Sequence, residues 1–240
     1  MNLLLWSIPQ WLLALLLFLM LRNRAYKVCP WFFSYVAFGV VAEVARFFAL
    51  NHQRPYFATY WITEAGYCVL GILAMNEVFR AVLRARIWWT YFIFPAIVIA
   101  GIGLSLAHAH AVPPQVRGPL LYIVTGEIAV RFVQVLIFLG VGALAAFFGL
   151  RWRQYPLGIA AGFGLYSTVS LLSTTKFSDF GTRFKLLWGW TSLVAYSLAV
   201  LIWIWFFRVP QEEEPSLDPK LVAHYTAVLE QYLGWLRRMR

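Results

Sequence analysis

The chain has 240 residues, of which 62% are hydrophobic and 12% are charged, and its mean hydropathy is +0.70. This composition excludes an ordinary soluble domain, whose apolar share is nearer half, and predicts an all-α, polytopic membrane protein in contact with the lipid bilayer. The net charge of +10 comes from short clusters of Lys and Arg between apolar runs rather than from one basic face. Nucleic acid is therefore not an expected partner.

Seven apolar runs, each long enough to cross a bilayer as a helix, follow one another along the chain. They are Leu3–Leu21, Trp31–Leu50, Tyr56–Phe79, Trp88–Ala107, Leu120–Leu150, Leu157–Thr175 and Phe184–Phe207. Prolines stand just before the second, third, fifth and sixth runs, where a missing amide proton does no harm to a helix. The pattern predicts a seven-helix transmembrane domain over residues 1–209.

The distribution of basic residues between the loops predicts the orientation of this domain. Alternating assignment of the loops puts thirteen Lys and Arg on one side and six on the other, with Arg131 left inside the membrane. The positive-inside rule then predicts an N-terminus outside, a cytoplasmic C-terminus and a multi-pass protein of the plasma membrane.

The sequence after the seventh run changes character. Residues 210–217 form a predicted acidic linker, and Asp218 with Pro219 predicts the start of a helix over residues 218–240. Apolar residues recur there at helical spacing and basic residues close the chain. We expect an amphipathic cytoplasmic helix that lies on the membrane or serves as a docking surface for a signalling protein or another membrane-complex partner.

Three Glu and two Arg of the second, third and fifth predicted helices fall, by the predicted topology, in the outer half of the bilayer. We call them the charged layer: Glu43, Arg46, Glu64, Glu127 and Arg131. Glu43 and Arg46 at i,i+3, and Glu127 and Arg131 at i,i+4, can pair along their own helices. Glu64 has no such neighbour, so it must take a proton, pair with Arg46 or Arg131, or face water.

The charged layer has three interpretations at this stage. It can be structural, as a network that locks the second, third and fifth helices together. It can line a pocket, open to the outside, for a small polar ligand or ion. It can also work as a proton-linked switch centred on Glu64.

A second group of charges closes the third run at its predicted cytoplasmic end. Glu77, Arg80 and Arg84 occupy i, i+3 and i+7, which is one face of a helix. They are predicted to anchor the helix by a local salt bridge, or to pass a movement of the third helix to a partner.

The sequence offers little chemistry for catalysis. It contains neither HExxH nor GxSxG, and its two aspartates, Asp179 and Asp218, lie outside the predicted spans. His108 and His110 share a loop with no further metal ligand nearby. We therefore predict no catalytic residues, no metal site and no cofactor.

Two short segments carry a resemblance to other proteins. The segments YWITEA at residues 60–65 and NEVFR at residues 76–80 resemble a group of uncharacterised bacterial seven-helix integral membrane proteins, and this resemblance implies no function. The architecture is also similar to the seven-helix sensory regions of some bacterial histidine kinases, but too few residues follow the seventh run for a kinase domain.

The combined pattern favours a non-enzymatic sensor or receptor-like module, in which the charged layer forms a pocket and the C-terminal helix signals to a separate partner. The first alternative is a small proton- or ion-coupled transporter that uses Glu64. The second is a structural subunit of a larger membrane complex, with contact surfaces that include Trp203 and Trp205.

Overall fold

The computed structural model describes residues 3–49, 53–82, 90–109, 119–148, 155–180, 185–209 and 227. These residues form an all-α structure, and no strand occurs among them. The helices are α1 (Leu3–Arg22), α2 (Pro30–Ala49), α3 (Gln53–Val82), α4 (Thr90–Ala109), α5 (Pro119–Phe148), α6 (Tyr155–Phe180) and α7 (Lys185–Phe207). A single 3-10 turn, Ala25–Lys27, lies between α1 and α2.

Five of the helices contain stretches long and apolar enough to cross a membrane, so the chain is a multi-pass membrane protein. These stretches are Pro30–Ala49, Pro55–Ala81, Thr125–Ala143, Tyr155–Ser173 and Trp190–Phe207. Within the residues whose side chains the structure describes, α1 and α4 contribute the further apolar stretches Ile8–Arg22 and Phe94–Leu106. Many large apolar side chains are exposed, with Trp11, Phe48 and Ile62 each more than 70% exposed, as contact with lipid requires.

The chain divides into two compact units, Met1–Pro210 and Gln211–Arg240. Helices α1 to α7 belong to the first unit. Of the second unit the structure describes residue 227, which is helical. The predicted linker at 210–217 and the predicted amphipathic helix at 218–240 otherwise lie outside the described residues.

Successive helices run in alternating directions. Gln10, early in α1, contacts Glu43, late in α2, and Glu77, late in α3, contacts Phe32, early in α2. Ser105 in α4 donates a hydrogen bond to the carbonyl oxygen of Thr125 near the start of α5. We call the end of the bundle where α1 ends and α2 begins the turn end, and the opposite one the far end.

Six helices form a ring, and α4 lies outside it. Neighbours in the ring are α1, α2, α3, α5, α6 and α7, and α7 closes it by packing on α1. α4 packs mainly against α5 and only marginally against α3. The ring is filled near the turn end by an aromatic cluster in which the Phe32 ring lies 5.1 Å from that of Trp203 and 5.6 Å from that of Phe207.

Glycines on α6 receive aromatic rings from the neighbouring helices. Gly162 faces the indole of Trp203, and Gly158 faces the ring of Phe206. A methyl group at either glycine would collide with the ring. The spacing of these glycines predicts that the backbones of two helices approach each other closely. In the structure, aromatic side chains of α7 fill the space above the glycines instead.

The expectation that Trp203 offers an exposed contact surface is wrong. Trp203 is 1% exposed, whereas Trp205 is 58% exposed. Trp203 is buried because Gly162 leaves room for its indole, and its Nε1 donates a hydrogen bond of 3.3 Å to the carbonyl oxygen of Ile159. An apolar helix does not reveal from its sequence which of its tryptophans faces the bundle.

Candidate functional site

The centre of the candidate site is Arg46, a buried arginine in the last turn of α2. Its Nη1 lies 3.4 Å from Oε1 of Glu43, one turn earlier on the same helix, and its Nη2 lies 2.9 Å from Oε1 of Glu64 on α3. The predicted pair within α2 is present. Glu64 pairs with Arg46, which was one of the arrangements left open by the sequence, and this contact ties α2 to α3.

Thr63 is a further hydrogen-bond acceptor for Arg46, and the sequence analysis did not identify it as a site residue. Its hydroxyl oxygen accepts hydrogen bonds from Nε of Arg46 at 2.9 Å and from Nη2 at 2.5 Å, and it donates to the carbonyl oxygen of Tyr60 at 2.8 Å. A threonine in an apolar run is an ordinary helix residue, and only the register between α2 and α3 gives it this role.

Gln10 extends the same network to α1. Its Nε2 donates a hydrogen bond of 3.3 Å to Oε2 of Glu43. Its other side-chain atom, Oε1, is buried and has no hydrogen-bond partner within the described part of the chain. An acceptor therefore remains available beside Glu43.

A second ion pair lies on α5. Arg131 donates to Glu127 four residues earlier, as the spacing predicts, and to the hydroxyl oxygen of Tyr166 on α6 at 3.4 Å. The next polar contact along α5 also reaches α6, since Ser167 donates to the side-chain oxygen of Gln134. These contacts join α5 to α6 as Arg46 joins α2 to α3.

Tyrosine rings cover both guanidinium groups. The guanidinium carbon of Arg46 lies 4.8 Å from the ring centroid of Tyr60 and 5.7 Å from that of Tyr67, and the guanidinium carbon of Arg131 lies 4.7 Å from that of Tyr166. Such contacts stabilise a cation that has left water. Both arginines are thus held as charged groups within an aromatic setting.

The charges of the layer do not balance. Glu43 with Arg46 and Glu127 with Arg131 make two neutral pairs, which leaves Glu64 as a third carboxylate in a layer with two guanidinium groups. The Glu64 side chain is 16% exposed and shares Arg46 with Glu43. The charges of Glu127 and Arg131 also act on it, so the two ion pairs and Glu64 form one electrostatic unit.

The second predicted group lies at the other end of α3, where a local salt bridge of Glu77 was expected. The structure shows a different arrangement. The carboxylate of Glu77 accepts hydrogen bonds from the backbone amides of Trp31 at 3.2 Å and of Phe32 at 3.0 Å. It therefore caps the N-terminus of α2 from a neighbouring helix. Arg80 is exposed and forms no ion pair with a described residue, and Arg84 lies outside the described residues.

Comparison with protein-family models, with curated proteins and with solved structures finds no match to this chain. The fold and the composition of the helices define a class of protein. The chain is a multi-pass membrane protein whose described residues are all-α, with ionisable side chains inside stretches that are apolar enough to cross the bilayer.

Proposed function

We propose that the protein is a membrane sensor with seven spans, its N-terminus outside and its C-terminus in the cytoplasm, whose charged layer binds one small cation or proton. The observation that carries this proposal is the third carboxylate. An uncompensated carboxylate inside a bilayer is costly, and one further positive charge beside Glu64 would neutralise the layer. Oε1 of Gln10, which has no hydrogen-bond partner among the described residues, offers a further oxygen to a cation.

Helix α3 connects the charged layer to the turn end of the bundle, and in this proposal it transmits the effect of binding. Glu64 and Glu77 stand on this one helix, 13 residues or about 20 Å apart at 1.5 Å per residue. A change in the contact of Glu64 with Arg46 shifts α3 relative to α2, and Glu77 carries that shift to the start of α2. In this proposal the C-terminal segment passes the change to a separate cytoplasmic partner.

The test is thermal unfolding of the purified protein in neutral-lipid nanodiscs, across a pH series and with sodium, potassium and an alkylammonium salt as probes. We expect at least one probe to raise the unfolding temperature of the wild type and to have no effect on Glu64→Gln, which leaves two neutral ion pairs. Glu77→Gln is the matched control, since it removes a carboxylate from the same helix outside the charged layer, and it should keep the response.

The result that contradicts the proposal is a response of equal size in Glu64→Gln, or none in the wild type. The excess carboxylate also favours the alternative of a proton- or ion-coupled transporter. Flux of the same probe into proteoliposomes separates the two functions. A sensor shows no flux, whereas a transporter shows flux that is lost in Glu64→Gln and kept in Glu77→Gln.

A further inference from the structure

Exposed basic side chains gather at the turn end of the bundle. Arg22 ends α1, Arg24 and Lys27 lie in the turn that follows, and Arg208 comes directly after α7. We call these four residues the basic patch. None of them forms an ion pair with a carboxylate among the described residues, and Glu77, the acidic residue nearby, is engaged by the amides of α2.

The two parts of the basic patch are fastened to each other. Nδ2 of Asn23, between Arg22 and Arg24, donates a hydrogen bond of 2.5 Å to the carbonyl oxygen of Phe207. The turn is further fixed by hydrogen bonds from the amide of Arg24 to Leu21 and from the amide of Lys27 to Arg24. The cations are therefore presented together on a defined backbone.

Arg24 adopts a backbone conformation that disfavours an arginine. Its φ is 53° and its ψ is 26°, in the left-handed region, and it is the one non-glycine residue with positive φ in the described part of the chain. Glycine would occupy this conformation without steric cost. Such a conformation persists where the surrounding structure holds it, and outliers of this kind cluster at functional sites. The Arg24 side chain is exposed.

Exposed aromatic side chains at the same end indicate where the basic patch lies relative to the membrane surface. Tyr26 is 38% exposed, Trp31 is 46% exposed and Trp205 is 58% exposed. The guanidinium carbon of Arg208 lies 3.4 Å from the ring centroid of Trp205. Exposed Trp and Tyr at the ends of membrane helices lie at the level of the lipid headgroups, which puts the four cations within reach of lipid phosphates.

We propose that the basic patch binds the phosphate headgroup of an anionic phospholipid. Four exposed cations that form no ion pair with a described carboxylate can bind an anion. The surrounding exposed aromatic side chains favour a lipid over an acidic protein as the source of that anion. This binding site is independent of the charged layer, so either proposal can fail without the other.

The test is a titration of phosphatidylglycerol into the full-length protein in neutral detergent micelles, followed by thermal unfolding. We expect the lipid to raise the unfolding temperature of the wild type. Each of Arg24→Gly and Arg208→Gln should increase the half-saturating mole fraction of lipid about fivefold, which corresponds to the loss of one basic contact at a membrane surface. Phosphatidylcholine should have no comparable effect.

Arg24→Gly separates a loss of lipid binding from a loss of protein stability. Glycine relieves the left-handed backbone, so this variant should unfold at the same or a higher temperature than the wild type without lipid and still lose affinity for phosphatidylglycerol. Lys185→Gln is the matched control, because it removes one positive charge at the start of α7, at the far end. Equal affinity in wild type, Arg24→Gly and Arg208→Gln, or an equal loss in Lys185→Gln, would overturn the proposal.

Discussion

Arg46 and Arg131 are the same residue type in similar settings, yet they use their guanidinium groups differently. Arg46 donates from Nε, Nη1 and Nη2 to Thr63, Glu43 and Glu64, whereas Arg131 donates only from Nη2 in the contacts described. The fork of an arginine is needed where several acceptors surround it, and a lysine presents a single point charge. The two positions therefore differ in how well they tolerate lysine.

We predict that Arg46→Lys lowers the free energy of unfolding by about 1–3 kcal/mol, because a buried acceptor loses its donor. Arg131→Lys should cost less than about 1 kcal/mol, in the range of single polar contacts between membrane helices. Unfolding in a titration with sodium dodecyl sulfate measures both. An equal loss in the two variants would mean that the additional contacts of Arg46 are energetically unimportant.

The sequence predicts part of this chemistry and not the rest, for a definite reason. The pairs Glu43–Arg46 and Glu127–Arg131 follow from the geometry of a single helix, which spacing reveals. The contacts of Thr63, Gln10 and Tyr166 depend on which faces of different helices meet. That information is not local, and it cannot be obtained from the spacing of residues along the chain.

At the scale of the elements, α2 depends on α3 for the satisfaction of its first amides. Pro30 begins α2 and lacks an amide proton, and the amides of Trp31 and Phe32 bond to Glu77. Spacing within α3 predicts Arg80 as the partner of Glu77, but free helix amides compete for the same carboxylate. The carboxylate also interacts favourably with the positive end of the α2 dipole.

We predict that Glu77→Ala destabilises the protein by about 1 kcal/mol, which is typical of the loss of a helix cap. Arg80→Ala, one turn away and exposed, should change the free energy of unfolding by less than about 0.5 kcal/mol. Chemical unfolding in the same detergent compares them. If the two losses are alike, a salt bridge along α3 and not the cap dominates the energetics of Glu77.

At the scale of the whole molecule, the existence of the helices is predictable and their arrangement is not. Each predicted apolar run contains most of one observed helix, because length and hydropathy suffice to define a span. Length and hydropathy do not predict the order of the helices in the ring or the position of α4 outside it. Apolar side chains occur all around such helices, so their periodicity does not identify the buried face.

The proposed topology makes α4 a crossing helix, and the apolar run Trp88–Ala107 is long enough for it. In a full-length chain with Cys29 and Cys68 replaced, we expect Ala111→Cys to react with a membrane-impermeant maleimide on intact cells. Ala85→Cys should react only after permeabilisation. If both cysteines are protected until the membrane is opened, α4 does not cross and five or six spans remain.

The ring closes between α1 and α7, and this has a consequence for biosynthesis. Asn23 and Phe207, which bond to each other across the closure, are separated by 184 residues. At about 5–20 residues per second, a ribosome needs roughly 10 to 40 s to make the intervening chain. For that interval α1 exists without α7, so the α1 surface that packs on α7 in the finished protein stays uncovered by α7 until that helix has been synthesised.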